Sequence, residues 1–394
     1  MIENIKFSNF YSFAEEAEIS LLVNKKPSPS YFDIDLANGT RLNKVISIMG
    51  PNGSGKTQIL RPIAFLSWFI SHSFLNSEPT SPIPFKPHLL TPDQSSKFEL
   101  EFYIQNEQYK YQLITTPTQV EYESLHKKTS HLYSYVFIRE LKNGSYQYKH
   151  QGFEFPKKLA EKIRGNVSII SAANIHDSAY ATKISNYFST YTYNINISGR
   201  ENYHQGELFK SAEFFKDNPI LQNKASKLLC NLDLGLSGVE LVEIEATDEQ
   251  GKEKKLHLPF GHHTSALGSF KLPFFDESSG TQSAYVLLRR ILPVLEHGGV
   301  AILDEIDNDL HPHMLPAILE LFKFEHTNPH NAQILFTCHT PEILNILKKH
   351  QLYLVEKNDL FSEAWRLDQV SGLRSDDNIY AKYQAGALNA VPNI

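Results

Sequence analysis

The chain has 394 residues, of which 41% are hydrophobic and 21% charged, and its formal net charge is -6. This length predicts about two to three domain-sized units, with a core large enough to need no disulfide or metal for stability. The mildly acidic balance does not indicate a nucleic-acid-binding protein, although a local basic groove is compatible with it. Cys230 and Cys338 lack the spacing of a metal or redox pair, so we expect a reduced, cytoplasmic compartment. We expect no signal peptide and no membrane span, because the longest apolar run, 63–70, is too short.

The first half of the chain predicts strands around one helix. Short apolar or alternating runs predict strands at Ile2–Phe7, Ala17–Val23 and Lys44–Met49, and a helix is expected after Lys56. Residues 76–96 are rich in Pro and Ser and predict a loop. Alternating segments rich in Phe, Tyr and Val predict an antiparallel sheet over 97–150.

The second half predicts a helical region, a hairpin and an α/β unit. Residues 155–235 have a mostly helical pattern, and two alternating runs over 239–258 predict a hairpin that turns at 248–251. From Gln282 onward strands and helices alternate, which is typical of a parallel α/β sheet. No internal repeat and no sustained heptad array is visible.

The segment Gly50-Pro-Asn-Gly-Ser-Gly-Lys56-Thr57 lies between the third strand and its helix. Glycines let backbone N–H groups wrap phosphates, and the helix N-terminus faces their charge. This P-loop pattern predicts that Lys56 reaches the β- and γ-phosphates of ATP and that Thr57 ligates Mg²⁺. A turn that matches by chance is disfavoured, because a strand precedes the loop and a helix follows it. The predicted nucleotide-binding residues here are Gly50, Asn52, Gly53, Ser54, Gly55, Lys56 and Thr57.

A second candidate site lies where Asp304 and Glu305 follow the apolar run 300–303. Ligands in open α/β sheets bind at such strand ends. We expect Asp304 to hold Mg²⁺ through water, and Glu305 to orient and deprotonate the attacking water. Taken alone, an acidic pair is as often a solvated strand end, but the P-loop in the same chain favours the functional interpretation.

The segment Glu277-Ser-Ser-Gly280-Thr-Gln282 opens an amphipathic helix. Taken alone, this serine would be an ordinary N-cap. The stretch from Ser278 to Gln282 resembles the Leu-Ser-Gly-Gly-Gln signature of ABC ATPases. Its position between the P-loop and the acidic pair favours this interpretation over an ordinary N-cap. The resemblance implies that Ser278, Ser279 and Gly280 act in trans, on the γ-phosphate of ATP held by a second subunit, a contact that a helix N-terminus suits.

A single histidine, His339, follows the buried strand predicted from Gln333. ABC ATPases carry a switch histidine at this place, which implies contact with the γ-phosphate, although a lone histidine is more often structural. The D-loop should follow Glu305, yet His311 stands where the superfamily usually has an acidic residue. His311 and His313 could form a metal pair, but a loop packed at the dimer seam is the simpler interpretation.

Over nearly its whole length the chain resembles bacterial ABC-type ATPases of abortive infection and phage defence, which are related to the overcoming-lysogenization-defect, RecF and SMC proteins. The segments that carry this resemblance are Ile5–Phe13, Glu277–Thr281, Asp304–Pro312, Arg374–Tyr380 and Gly386–Pro392.

The resemblance implies an α/β fold of the ABC ATPase head type. Its parts are a P-loop parallel core sheet, an antiparallel β subdomain, and a short helical insertion in place of a coiled coil. The expected units are 1–154 for the N-terminal lobe, 155–236 for the insertion and 237–394 for the C-terminal lobe. The 55 residues from 340 to 394 are too few for a Toprim nuclease domain, so we expect any nuclease to be a separate chain.

The helical region is the candidate surface for a partner or trigger. A basic cluster near its start could contact nucleic acid, but Glu154 and Glu161 interrupt it, and a solvated helix face is the favoured interpretation. Its members are Lys142, Lys149, Lys157, Lys158, Lys162 and Arg164.

These features predict an ATP- and Mg²⁺-dependent ATPase with Glu305, Lys56 and His339 as catalytic residues. We expect a homodimer or larger homo-oligomer that serves antiphage defence and controls a separately encoded effector, such as a nuclease. The alternative is a RecF- or SMC-like DNA-binding ATPase of repair or recombination. A regulatory nucleotide-binding module with negligible turnover is a third possibility.

Overall fold

The computed structural model describes residues 1–232, 235–247, 253–308, 310, 314–374 and 377–388. The helices within these ranges are α1 (Lys56–Asn76), α2 (Lys157–Ala160), α3 (Ile169–Ile175), α4 (Ala179–Ser189), α5 (Gln205–Asp217), α6 (Pro219–Asn231), α7 (Ser279–His297), α8 (Met314–Glu320) and α9 (Ile379–Gln384). The strands are β1 (Ile2–Ser8), β2 (Ala17–Ser20), β3 (Asp33–Asp35), β4 (Arg41–Asn43), β5 (Val45–Met49), β6 (Ser96–Ile104), β7 (Glu107–Thr115), β8 (Val120–Lys128), β9 (Tyr133–Lys142), β10 (Ser145–His150), β11 (Thr192–Tyr193), β12 (Ile195–Asn196), β13 (Gly199–Arg200), β14 (Gly238–Thr247), β15 (Glu253–Ser265), β16 (Gly268–Pro273), β17 (Val300–Leu303), β18 (Gln333–Thr337), β19 (Leu352–Asn358) and β20 (Phe361–Arg366).

A six-stranded core sheet in the order β11-β17-β18-β5-β19-β20 carries the P-loop and the acidic pair. Its strands are parallel except for the edge strand β20, which pairs antiparallel with β19. The strands β5, β17 and β18 are buried at every position, which explains their continuous apolar runs. The structure confirms the predicted α/β class.

Alternate residues of the core sheet face two separate hydrophobic cores. Ile46 and Ile48 of β5 pack into a core shared with α1, α3, α4 and the antiparallel sheet. Val45 and Met49 of the same strand face a second core, formed with α5, α6, α7 and α8. Side chains on successive strand residues point to opposite faces, so one strand anchors both layers.

The predicted antiparallel sheet is present as seven strands in the order β10-β9-β8-β7-β6-β1-β2. Five of them form a meander from β6 to β10, and β1 joins β6 at the edge of that meander. The helix α1 lies against this sheet through Phe65 and Phe69, whose rings are fully or nearly buried. The P-loop helix is therefore held between two sheets.

The region 155–236 contains α2 to α6, as its helical pattern predicts, but it also contributes a strand to the core sheet. Thr192 and Tyr193 of β11 pair in parallel with Ala301 and Ile302 of β17. α3 and α4 contribute Ile170 and Ile184 to the core around α1. The boundaries 154/155 and 236/237 stay predictions.

The predicted hairpin is the first part of a three-stranded antiparallel sheet, β14-β15-β16. Its predicted turn at 248–251 lies outside the described residues. Across the part of the chain that the structure describes, no helix has the length and apolar character needed to cross a membrane.

Candidate functional site

The P-loop connects the end of β5 to the start of α1, and its glycines are required by geometry. Gly50 has φ 155°, and a Cβ at this position would lie 2.1 Å from the Val355 carbonyl oxygen. Gly55, the N-cap of α1, has φ 109°, and its Cβ would lie 2.5 Å from Ser362 Oγ. Any larger residue would be strained at both positions, so the loop can approach its neighbours only with glycine.

Lys56 is folded back onto the loop that precedes it. Its Nζ donates to the carbonyl oxygens of Gly50 at 2.7 Å and Pro51 at 3.0 Å. Burial lowers the pKa of Lys56, and the carboxylates of Asp304 and Glu305 oppose that shift. The buried ammonium thus lies over the loop and is bonded to two uncharged carbonyl oxygens. Charged phosphate oxygens would form stronger hydrogen bonds with it.

Asp304 lies where the P-loop helix meets the ends of two neighbouring strands. Its Oδ2 accepts from Thr57 Oγ1 at 2.7 Å, and its Oδ1 accepts from Thr337 Oγ1 at 2.6 Å. The carboxylate is 1% exposed. The structure therefore brings together the two residues predicted to hold Mg²⁺, Thr57 and Asp304.

Asn194 directly follows β11 and binds the main chain of Asp304. It was not among the residues predicted from the sequence. Its Nδ2 donates to the Asp304 carbonyl at 2.9 Å, and its Oδ1 accepts from the Asp304 N–H at 2.7 Å. The side-chain amide of Asn194 thus binds both main-chain groups of Asp304, as a residue of a neighbouring strand would. No sequence pattern marks Asn194, because its partner is backbone 110 positions away.

Glu305 has an unusual backbone and is held by groups from three segments. Its φ is 47°, which is rare for a residue with a side chain and is typical of functional sites. Its N–H donates to Thr337 Oγ1 at 2.6 Å, and Arg200 Nη1 donates to its Oε2 at 2.6 Å. His339 Nε2 lies 3.7 Å from the other carboxylate oxygen. Glu305 and His339 therefore share one edge of the site, and Arg200 is a second residue that the sequence did not reveal.

Asp307 fixes the segment that carries His339. Its Oδ2 accepts from the main-chain N–H groups of His339 and Thr340, at 2.9 and 2.8 Å, and from the Thr340 hydroxyl. The imidazole itself is 44% exposed. Asp307 thus positions the main chain of His339 beside Glu305. His311, Pro312 and His313 lie outside the described residues.

The signature residues lie at the N-terminus of α7, apart from the P-loop. Ser278 is the N-cap, and its Oγ accepts from the Thr281 N–H at 3.2 Å, while Ser279 and Gly280 open the helix. Ser278 and Ser279 are exposed. Among the described residues, no hydrogen bond or ion pair joins 278–280 to 50–57. The role of the signature in trans stays a prediction.

Glu277, just before the signature, is anchored to β15. Its Oε1 lies 2.8 Å from His263 Nε2, and its side chain is 6% exposed. A Cβ on Gly261 would lie 2.3 Å from the same oxygen, so the strand is shaped to receive the carboxylate. Tyr203 adds a hydrogen bond to Gln282 on the next turn. The signature is consequently connected to the three-stranded sheet through Glu277 and to the segment before α5 through Gln282.

The arrangement fits a nucleoside triphosphate with Mg²⁺. Ser54 is 2% exposed and its Oγ has no hydrogen-bond partner among the described residues, as expected of a group that awaits an anion. Thr57 and Asp304 would supply the hard oxygen donors that Mg²⁺ prefers. Within the described ranges, no three His, Cys, Asp or Glu side chains cluster as a further metal site.

Residues 45–345, more than half of the chain, match the family described as "AAA domain, putative AbiEii toxin, Type IV TA system". The chain belongs to this family. It is accordingly an ATPase-type P-loop protein, and its P-loop, signature, acidic pair and His339 all lie within the matched region. No curated protein matches the chain in sequence.

Two solved structures resemble the chain over most of its length. One is described as the SmcHead bound to the C-winged helix domain of ScpA, with 13% identity, a TM-score of 0.47, and coverage of 93% of this chain and 97% of that chain. The other is the SMC head domain from Thermotoga maritima, with 15% identity, a TM-score of 0.41, and coverage of 93% and 98%.

Three members of the basic cluster, Arg164, Lys142 and Lys157, have partners close by. Arg164 donates to the carbonyl of Ser77 at 2.8 Å and, at shorter range, to that of Phe74, which fixes its partly buried side chain. Lys142 pairs with Glu140 at 2.7 Å, and Lys157 lies 3.7 Å from Glu161. These contacts favour the interpretation as a solvated, locally neutralised face.

Proposed function

We propose that this chain is the ATP-hydrolysing subunit of an antiphage, abortive-infection complex of the cytoplasm. In this proposal ATP closes two copies onto each other, and closure controls a separately encoded toxic effector, with a nuclease as the favoured chemistry. The ATPase part rests on one observation: Lys56, Thr57, Asp304 and Glu305 meet at one edge of the core sheet. The defence part is supported by the family description, which names a toxin and a toxin–antitoxin system.

Each residue has a role that its geometry supports. Lys56 leaves the carbonyls of Gly50 and Pro51 to bind the β- and γ-phosphates, while Gly53, Asn52 and their neighbours wrap them. Thr57 and Asp304 hold Mg²⁺, which when bound neutralises charge on the phosphate oxygens. His339, fixed through its main chain by Asp307, reaches the γ-phosphate from the far side of Glu305.

Glu305 acts as the base. Its carboxylate takes a proton from water as the water oxygen bonds to the γ-phosphorus and the bond to the ADP oxygen breaks. The pair with Arg200 and the contact with Thr337 fix the direction of this carboxylate before ATP arrives. The exposed Ser279 and Gly280 then meet the γ-phosphate of a partner copy.

Glu305→Gln tests the catalytic assignment. We expect phosphate release by the purified protein to fall at least about a hundredfold, because a general base contributes this much, while ATP binding persists. The control is Glu320→Gln, an exposed residue of α8 that pairs with Lys323. A Glu305→Gln protein that hydrolyses ATP at the wild-type rate would refute the assignment.

The defence role needs a separate test in bacteria that carry the gene and its neighbours. We expect Lys56→Ala to remove protection from phage, and a tagged wild-type chain to co-purify with a small nuclease or toxin. Full protection by Lys56→Ala would contradict the proposal. Tight, salt-sensitive DNA binding by the isolated chain would instead favour the DNA-repair alternative.

A further inference from the structure

A cavity of about 310 Å³ lies beside the P-loop helix and has no part in the site described above. One wall is α1, through Arg61, Phe65 and Trp68, and the opposite wall is the segment 193–197. Lys56, Thr57, Asp304 and Glu305 do not line it. Its volume is in the range that holds small organic ligands.

The lining combines flat apolar surfaces with one buried cation. Aromatic rings come from Tyr11, Phe65 and Trp68, and most of the accessible lining is apolar. The Arg61 guanidinium carbon lies 4.2 Å from the centre of the Tyr11 ring. Apolar walls with few polar groups are typical of sites that bind planar molecules.

Arg61 itself is incompletely satisfied. The residue is 6% exposed, and its Nε has no hydrogen-bond partner among the described residues. Unpaired buried donors are rare, because each forgoes its bonds with water. An anionic group in the cavity would supply the missing partner, and stacking on the rings would hold the planar part.

We propose that this cavity binds a small planar aromatic molecule that carries an anionic group, with Arg61 as its charge partner. The wall formed by 193–197 continues toward the ATP site, because the segment from Asn194 to Arg200 contacts Asp304 at one end and Glu305 at the other. Tyr11 closes the same segment by donating to the Ile197 carbonyl at 3.2 Å. If the proposed ATPase function holds, occupancy will therefore also change turnover, but binding itself is independent of hydrolysis.

The test uses anilinonaphthalene sulfonate, a planar aromatic anion that fluoresces in apolar sites. We expect saturable binding of one molecule per chain that Mg²⁺–ATP does not displace. Ile197→Trp fills the mouth of the cavity, and since Ile197 is 45% exposed the change leaves the core intact. We expect this variant to lose the saturable component.

Two further variants complete the test. Arg61→Gln should weaken binding about tenfold or more, the effect of losing a charge-assisted hydrogen bond. Leu267→Ser is the matched control, because Leu267 is fully exposed on the β15–β16 turn and would be an alternative adventitious site. Wild-type binding by Ile197→Trp, loss of binding in Leu267→Ser, or displacement by ATP would each overturn the proposal. None of these readouts depends on ATP hydrolysis.

Discussion

At the scale of single residues, the site depends on main-chain contacts as much as on charged side chains. Asn194 holds the backbone of Asp304, whose carboxylate accepts from Thr57, and Thr337 accepts from the N–H of Glu305, whose φ is positive. The contacts of Asn194 and Thr337 with the main chain are hydrogen bonds between uncharged groups, and they hold the backbone from which the carboxylates extend. The strained backbone of Glu305 is thus maintained by the neighbouring strand ends.

Asn194→Ala should impair the chemical step more than ATP binding. The change leaves the N–H and carbonyl of Asp304 without side-chain partners in a buried setting, at a cost of about 1–3 kcal/mol. We expect kcat to fall at least about tenfold with a smaller change in KM, because the phosphate-binding loop is untouched. Steady-state kinetics and thermal melts measure both effects. Asn38→Ala, an exposed change in the β3–β4 turn, is the control, and equal losses in both variants would contradict the role of Asn194.

The site residues that belong to local motifs were predictable from sequence, and those that a distant segment brings to the site were not. Lys56, Thr57, Asp304 and Glu305 stand in local patterns whose spacing reflects a strand, a loop and a helix. Arg200 and Asn194 belong to no such pattern, because a segment distant in sequence carries them to the site. A single sequence does not show which distant segment the fold will place beside Asp304 and Glu305.

At the scale of elements, periodicity predicted the core sheet, the antiparallel sheet and α7, since each has a long buried stripe or run. The two-residue β11 was missed within a helical region, because two residues show no period. β16 was missed as well: its exposed and half-buried residues lack the alternation of a half-buried strand. Both short strands matter, since β11 delivers Asn194 and β16 completes the sheet beside the signature.

Glu207 links α5 to the signature helix α7 and should make stability depend on pH. Its side chain is 4% exposed and contacts Lys210, Arg289 and Arg290. Burial raises the pKa of Glu207, but these cations more than offset it, so its pKa lies below the ordinary value of 4.5. A lowered pKa adds stability above pH 4.5, and that stability is lost as the pH falls through the lowered value.

Glu207→Gln should therefore lower the free energy of unfolding by about 2–3 kcal/mol at pH 7, because it leaves two arginines without their shared buried partner. The difference from wild type should shrink as the pH falls below 4.5, where the carboxylate of the unfolded chain begins to take up a proton, and through the lowered pKa of the folded state. Urea unfolding at several pH values measures this. Glu296→Gln, which breaks the more exposed pair with Lys224, serves for comparison. A constant difference across the pH range would show that the carboxylate charge is not responsible.

At the scale of the whole molecule, the P-loop and the signature belong to different elements, and among the described residues no hydrogen bond or ion pair joins them. The P-loop sits at the end of β5, and the signature at the start of α7 is exposed and anchored through Glu277 to a different sheet. We expect the contact of Glu277 with His263 to hold the signature in this position. A second copy related by a two-fold axis would bring each signature to the other P-loop, and both sites would form together.

Mixing two inactive variants tests this arrangement. Lys56→Ala removes the phosphate-binding lysine, and Ser279→Arg blocks the signature contact, so each variant alone should hydrolyse ATP at a small fraction of the wild-type rate. In a mixed pair both lesions fall in one composite site, and the other site combines a normal P-loop with a normal signature. Random pairing of equal amounts makes about half of the dimers mixed, so we expect about a quarter of the wild-type rate per chain. The ATPase rate of the mixture is measured as phosphate release after the two variants are refolded together or left to exchange subunits. The control is each variant alone at the same total concentration. A mixture no more active than its components would count against the shared site and leave Lys56 to act within a single chain.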